Sequence, residues 1–67
     1  MWIKVHEGKI VNLENGTVIK QVMQFNGEDN GFYYIFLNDE VIADFGDEFD
    51  ANRYFDKLAE KLSAKEF

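Results

Sequence analysis

The chain of 67 residues contains no cysteine and no proline, only five glycines and a single histidine, His6. Without cysteine, neither a disulfide framework nor a thiolate metal site can hold a small fold together. The glycines stand singly in turn-like contexts, so no glycine-rich phosphate cradle forms. Hydroxyl nucleophiles are scarce: Thr17 flanks a turn, Ser63 lies near the end of a helical pattern, and neither has a base placed beside it. His6 has no cysteine partner. A catalytic or metal role is therefore not expected, nor is a cofactor. Cations are few as well, 7 against 13 acids for a net charge of −6, which disfavours a partner bound through phosphates. No window approaches the roughly 20 apolar residues of a membrane span, so a soluble, cytoplasmic protein is expected.

What is present is an ordinary globular balance, 46 % hydrophobic and 30 % charged, in a length that makes one domain, 1–67. Such a domain buries only about 60 % of the surface its unfolded chain exposes, and its stability margin is thin. Against that margin stand 7 Phe, 3 Tyr and 1 Trp. Either the core is unusually aromatic or some rings face a partner.

Turn residues divide residues 2–45 into short strands. Trp2 to Val5 is a β-rich run ended by Glu7-Gly8, and Lys9 to Leu13 is ended by Glu14-Asn15-Gly16, a strong hairpin signal because both Asn and Gly tolerate positive φ. The triplet Asn15-Gly16-Thr17 also fits a glycosylation acceptor, but the turn explains it better. Thr17 to Phe25 reads as a longer strand with apolar residues on both faces, as a bulge would give. A polar loop from Asn26 to Gly31 follows, then the strand Phe32 to Leu37, the turn Asn38-Asp39-Glu40, and the strand Val41 to Phe45. The period then changes. Asp47 is a good N-cap, with Asp50 three residues on, and Ala51, Phe55, Leu58 and Leu62 recur at helical spacing. A helix is expected over about 48–64. The sum is an α+β domain, an antiparallel four- to five-stranded β-meander packed against one C-terminal α-helix.

Trp2-Ile3-Lys4-Val5, Ile10-Val11-Asn12-Leu13 and the ending from Phe45-Gly46-Asp47 through Ala51 to Tyr54-Phe55-Asp56-Lys57-Leu58 resemble short uncharacterised bacterial and phage proteins. Those proteins are small β-meanders closed by a C-terminal helix. The likeness is one of apolar spacing, covers nearly the whole chain, and carries no functional residue.

Three signals bear on function. In Phe32-Tyr33-Tyr34-Ile35-Phe36-Leu37, alternation sends Phe32, Tyr34 and Phe36 to one face and Tyr33, Ile35 and Leu37 to the other. A single helix covers one face only, and apolar residues left on the second suggest an interface. We take the open face to be that of Tyr33, Ile35 and Leu37, an assignment that inverts with Tyr34 if the helix lies on the other side. The second signal is charge: residues 28–50 carry eight acids and no cation, while 1–27 and 51–67 each carry a net of +1. Some of those acids suit turns and a helix start, and Asp39, Glu40 and Asp44 could also steer a basic partner. The stretch Asp44 to Asp50 lacks the alternation and distal Glu of a calcium loop. The third is a row of cations four apart, Arg53, Lys57, Lys61 and Lys65, either a solvated flank or a contact surface.

The expected function is non-enzymatic protein–protein interaction through the aromatic sheet face, with another protein or with itself as a homodimer, using Tyr33, Ile35, Leu37, Asp39, Glu40 and Asp44. Nucleic acid and membrane are not expected partners. The alternative is an acidic inhibitor, encoded by a phage or mobile element, that mimics nucleic acid and occupies a basic groove on its target.

Overall fold

The computed structural model describes residues 1–5, 8–24 and 31–66. His6, Glu7, Phe25 and Phe67 lie outside them, and so do residues 26–30, where a polar loop is expected. In chain order the elements are β1 (Trp2–Val5), β2 (Lys9–Asn12), β3 (Val18–Gln24), β4 (Phe32–Leu37), β5 (Glu40–Phe45), α1 (Glu48–Lys61) and β6 (Lys65–Glu66). All the strands join one six-stranded sheet in the order β5-β4-β3-β2-β1-β6. Together with α1 this makes an α+β fold. The first five strands form an up-and-down antiparallel meander, as their short connections favour. The sixth was not anticipated. After the helix the chain returns beside β1 and pairs parallel to it, Ile3 with Lys65 and Lys4 with Glu66.

Local chemistry explains the turns. Between β2 and β3 the Asn12 N–H donates to the Thr17 carbonyl at 2.8 Å, and Gly16 (φ 74°) turns the chain. Only Gly16 of the Asn-Gly pair takes a positive φ. Between β4 and β5 it is Asn38 that does so, at φ 56°. Its side-chain oxygen accepts from Val18 N–H at 3.0 Å while its own N–H donates to the Val18 carbonyl at 2.7 Å. One residue thus turns the chain and extends the β3–β4 ladder.

The bulge lies elsewhere than expected. Pairing of β3 with β4 runs without interruption from Ile19↔Leu37 to Gln24↔Phe32. The irregularity is between β4 and β5, where Ile35 pairs with Ala43 and Phe36 with Val41, leaving Ile42 as the extra residue of the edge strand. β3 is apolar on both sides because it is a central strand, not because it is kinked.

The helix begins as its sequence dictates. Asp47, with φ −139°, accepts from the Phe49 N–H at 2.9 Å, and Glu48 and Asp50 add negative charge to the first turn. Among the described residues Asp50 makes no reciprocal bond to Asp47, so the cap is single. The helix ends at Lys61, three residues short of expectation. Ser63 takes φ 52°, its N–H donates to Glu60 and the Ala64 N–H donates to Ala59. This is the left-handed C-cap that glycine usually fills, and Ser in that place left no sequence signal.

The core forms where α1 crosses the sheet: Ile10, Ile19, Ile35, Phe55 and Ala59 are buried together, with Trp2, Leu37, Ala43, Phe45, Tyr54, Leu58 and Leu62 packed around them. Each fully buried large side chain contributes about 1.5–3 kcal/mol. At the edges of this layer Gln21 donates to Asn52 at 2.9 Å and Lys4 meets Asp56 at 3.4 Å.

A candidate interaction face on the open side of the sheet

Register and alternation assign every strand residue to a face. Because Ile10, Ile19 and Ile35 lie under the helix, their cross-strand partners do too: Lys4, Leu37, Gln21 and Ala43, followed two residues on by Tyr33 and Phe45. This corrects the sequence expectation. Ile35 is 0 % exposed and Leu37 packs on the core, so these two residues and Tyr33 belong to the helix side and cannot form the open face. The reason is register: pairing with Gln21 and Ala43 ties Ile35 to the side of Ile10 and Ile19, over which α1 lies, and alternation then sends Tyr34 and Phe36 to the other side.

That other side is built in rows across the strands. Ile3, Val11 and Val18 form one. Val5, Lys9, Lys20, Phe36 and Val41 form the next. Val22, Tyr34 and Asp44 form a third, and Gln24 and Phe32 a fourth. Among the described residues no helix or strand packs on these rows; none of their side chains joins the core cluster. The surface is chiefly valine with three aromatic rings. Tyr34 and Phe36 are half-buried, not free, with centroids 6.3 Å apart, and the Lys20 ammonium sits 5.9 Å from the Phe36 centroid. Phe32 and Val41 are exposed at 37 % and 46 %.

The charges on this face are few. Lys9 and Lys20 are direct cross-strand partners, a like-charge pair that is unfavourable in isolation. They line a shallow depression with Val18, Asn38 and Asp39. Asp44 stands on the same face two strands beyond Lys20. Among the described residues Lys9, Lys20 and Asp44 form no ion pair.

The acidic segment is spread along the β5 edge. Asp39 and Glu40 sit at the turn that opens β5, Asp44 within it, and Asp47, Glu48 and Asp50 beyond its other end. Six residues of strand separate the two ends, about 20 Å. Glu28 and Asp29 lie outside the described residues. Near the far end, partial desolvation and then the carboxylates of Glu48 and Asp47 hold the Tyr33 hydroxyl above its ordinary pKa. The expected cationic row is interrupted: Arg53, Lys57 and Lys61 lie on α1, but Lys65 is in β6 beside Ile3.

A second concavity, lined by Phe45, Asp50, Arg53, Tyr54 and Lys57, opens along the outer flank of the helix. Among the described residues no polar side chain is buried, and no three His, Asp or Glu side chains converge as metal ligands would. No helix among them is long and apolar enough to cross a membrane.

No protein family matches the chain, and neither a curated protein nor a solved structure does.

Proposed function

We propose that this chain is a non-enzymatic protein–protein interaction domain whose docking surface is the sheet face opposite α1. The observation behind this reading is the four-row surface of Ile3, Val5, Val11, Val18, Val22, Phe32, Tyr34, Phe36 and Val41, which no described element covers. An antiparallel sheet with one solvated face ordinarily alternates apolar and polar residues. Here the solvent side of the central strand β3 carries Val18 and Val22 around Lys20, and that of β4 carries Phe32, Tyr34 and Phe36. A contiguous apolar surface of this kind on a small domain marks an interaction site. A second reading, a cytoplasmic inhibitor of phage or mobile-element origin that mimics nucleic acid, draws on the acids strung along the β5 edge, and it requires target binding that weakens steeply with salt.

The test is Val22→Lys, at the middle of the face. If the face is kept apolar for a partner, the charge stays solvated and the domain loses at most about 1 kcal/mol of stability in a urea melt at low concentration. A loss above about 3 kcal/mol would mean that the chain itself covers Val22, and the docking reading would fail.

A further inference from the structure

We infer that the free edge of β5 takes up an extended basic segment of another protein, which pairs with β5 and becomes the next strand of the sheet. The inference is independent of the face opposite α1. β5 closes the sheet at one end and is hydrogen-bonded to β4 alone. The alternate N–H and C=O groups of Glu40–Phe45 that point away from β4 have no backbone partner among the described residues. Such a row is a template for pairing, and strand addition to it is a recurrent mode of peptide recognition. The opposite end of the sheet is less suited, since β6 is two residues long.

The two sides of this edge decide what the added strand carries. On its inner flank the helix is tied to β3 and β1, through Asn52 to Gln21 and Asp56 to Lys4. Its other flank, with Asp50, Arg53, Tyr54 and Lys57, turns toward β5 and forms a groove with Phe45, whose ring lies 5.3 Å from that of Tyr54. A side chain sent to this side meets two aromatic rings and two cations, which favours an apolar residue over a basic one. The other side of the edge carries Asp44, exposed, paired across the strands with Tyr34 and in no ion pair among the described residues. A Lys or Arg beside Asp44 on the added strand supplies the missing partner. The occupant therefore alternates apolar and basic residues. Glu40 at the start of β5, and Asp47 and Glu48 just beyond its end, draw the same charge toward the edge. A second copy does not fit. Pairing β5 with β5 sets the acids of Glu40 and Asp44 from both copies along one seam, and such charge, like the bulge at Ile42, is how edge strands resist their own kind.

The experiment titrates the isotope-labelled chain at low salt with an end-capped peptide of four Lys-Val repeats, followed by amide chemical shifts and hydrogen exchange. Binding is expected with a dissociation constant below about 1 mM, with the largest shifts along Glu40–Phe45 and slowed exchange of the outward-pointing amides there. Asp44→Lys should weaken binding by about tenfold or more. Methylating the backbone nitrogens of the peptide's valines, or of its lysines, removes the donors along one of its edges and leaves its charge intact. At least one of these two peptides should also bind about tenfold more weakly. If both bind like the parent, the attraction is one of charge without strand pairing, and the inference is overturned. It is overturned equally by shifts centred on Val11, Val18 and Val22 in place of β5, by Asp44→Lys binding as tightly as the wild type, or by no binding at several millimolar peptide.

Discussion

Replacing Ile35 separates the two sides of the sheet more sharply than any other single change. Ile35 is fully buried under α1, flanked in its row by Gln21 and Ala43, whereas its chain neighbours Tyr34 and Phe36 lie on the opposite side. Trimming one methylene in Ile35→Val should cost about 1 kcal/mol. For a domain of this length that lowers the melting temperature by roughly 4–8 °C. Removing three carbons in Ile35→Ala costs about 2.4 kcal/mol in transfer alone, and the space left beside Phe55 raises the total toward about 4 kcal/mol. A 67-residue domain has about 3–10 kcal/mol to lose, so this variant should be largely unfolded near physiological temperature. Trp2 packs against the core and is the sole tryptophan, so urea melts followed by its fluorescence, at concentrations where the chain is monomeric, supply the assay. Tyr34→Val is the comparison, with an expected cost near 1 kcal/mol despite the larger deletion, because its ring is only half-buried. If Ile35→Val were neutral while Tyr34→Val cost several kcal/mol, the facing of β4 would be the inverse of the one described.

Other perturbations probe particular contacts. Asp47→Ala removes the one side-chain cap of α1 and should cost about 1 kcal/mol, read as a lower thermal midpoint. Asn38→Ala loses the bond from Val18 N–H and puts a residue without Asn's tolerance at φ 56°, for about 1–2 kcal/mol in the same assay. Ser63→Gly relieves φ 52° at the helix C-cap and should stabilise the domain by up to about 1 kcal/mol; a loss would show that the Ser side chain has its own role there. Tyr33 has a raised pKa in the folded state, so the unfolded chain gives up this proton first. Its contribution is therefore full below about pH 10 and is withdrawn as pH climbs through the folded value. Between about pH 9 and about pH 11 the wild type should lose more urea resistance than Tyr33→Phe, and equal losses would count against the desolvation and the Glu48 and Asp47 charges as the cause.

The elements that were legible in the sequence are those with a strong local cause. Asp47 as cap, the helical spacing of Ala51, Phe55 and Leu58, and the turn residues Gly16 and Asn38 each act within a few residues. What escaped reading depends on distant pairing. β6 is two exposed residues whose strand character comes only from lying beside β1, and no periodicity can show in so short a run. The early helix stop turns on Ser63 in a conformation that Gly would have announced. The facing of β4 is also set by distant pairing. Its six residues are apolar throughout, so alternation divides them without saying which half lies inside. A signal did exist in its neighbours: Lys20 in β3 and Asp44 in β5 are mid-strand charges on one common face, and that face also holds Tyr34 and Phe36. Using it required the register of three strands. Lys4 and Gln21, polar residues on the helix side tied to Asp56 and Asn52, point the other way until those partners are known.

On the Val-rich face opposite the helix Val11, Val18 and Val22 are half-buried, whereas Ile10, Ile19 and Ile35 are buried beneath α1. Methyl-resolved NMR with a soluble paramagnetic relaxation agent, at a concentration where the chain is monomeric, compares the two sides in one experiment. Stronger relaxation is expected for the Val11, Val18 and Val22 methyls than for those of Ile10, Ile19 and Ile35. Equal protection of both sets in the monomer would contradict it.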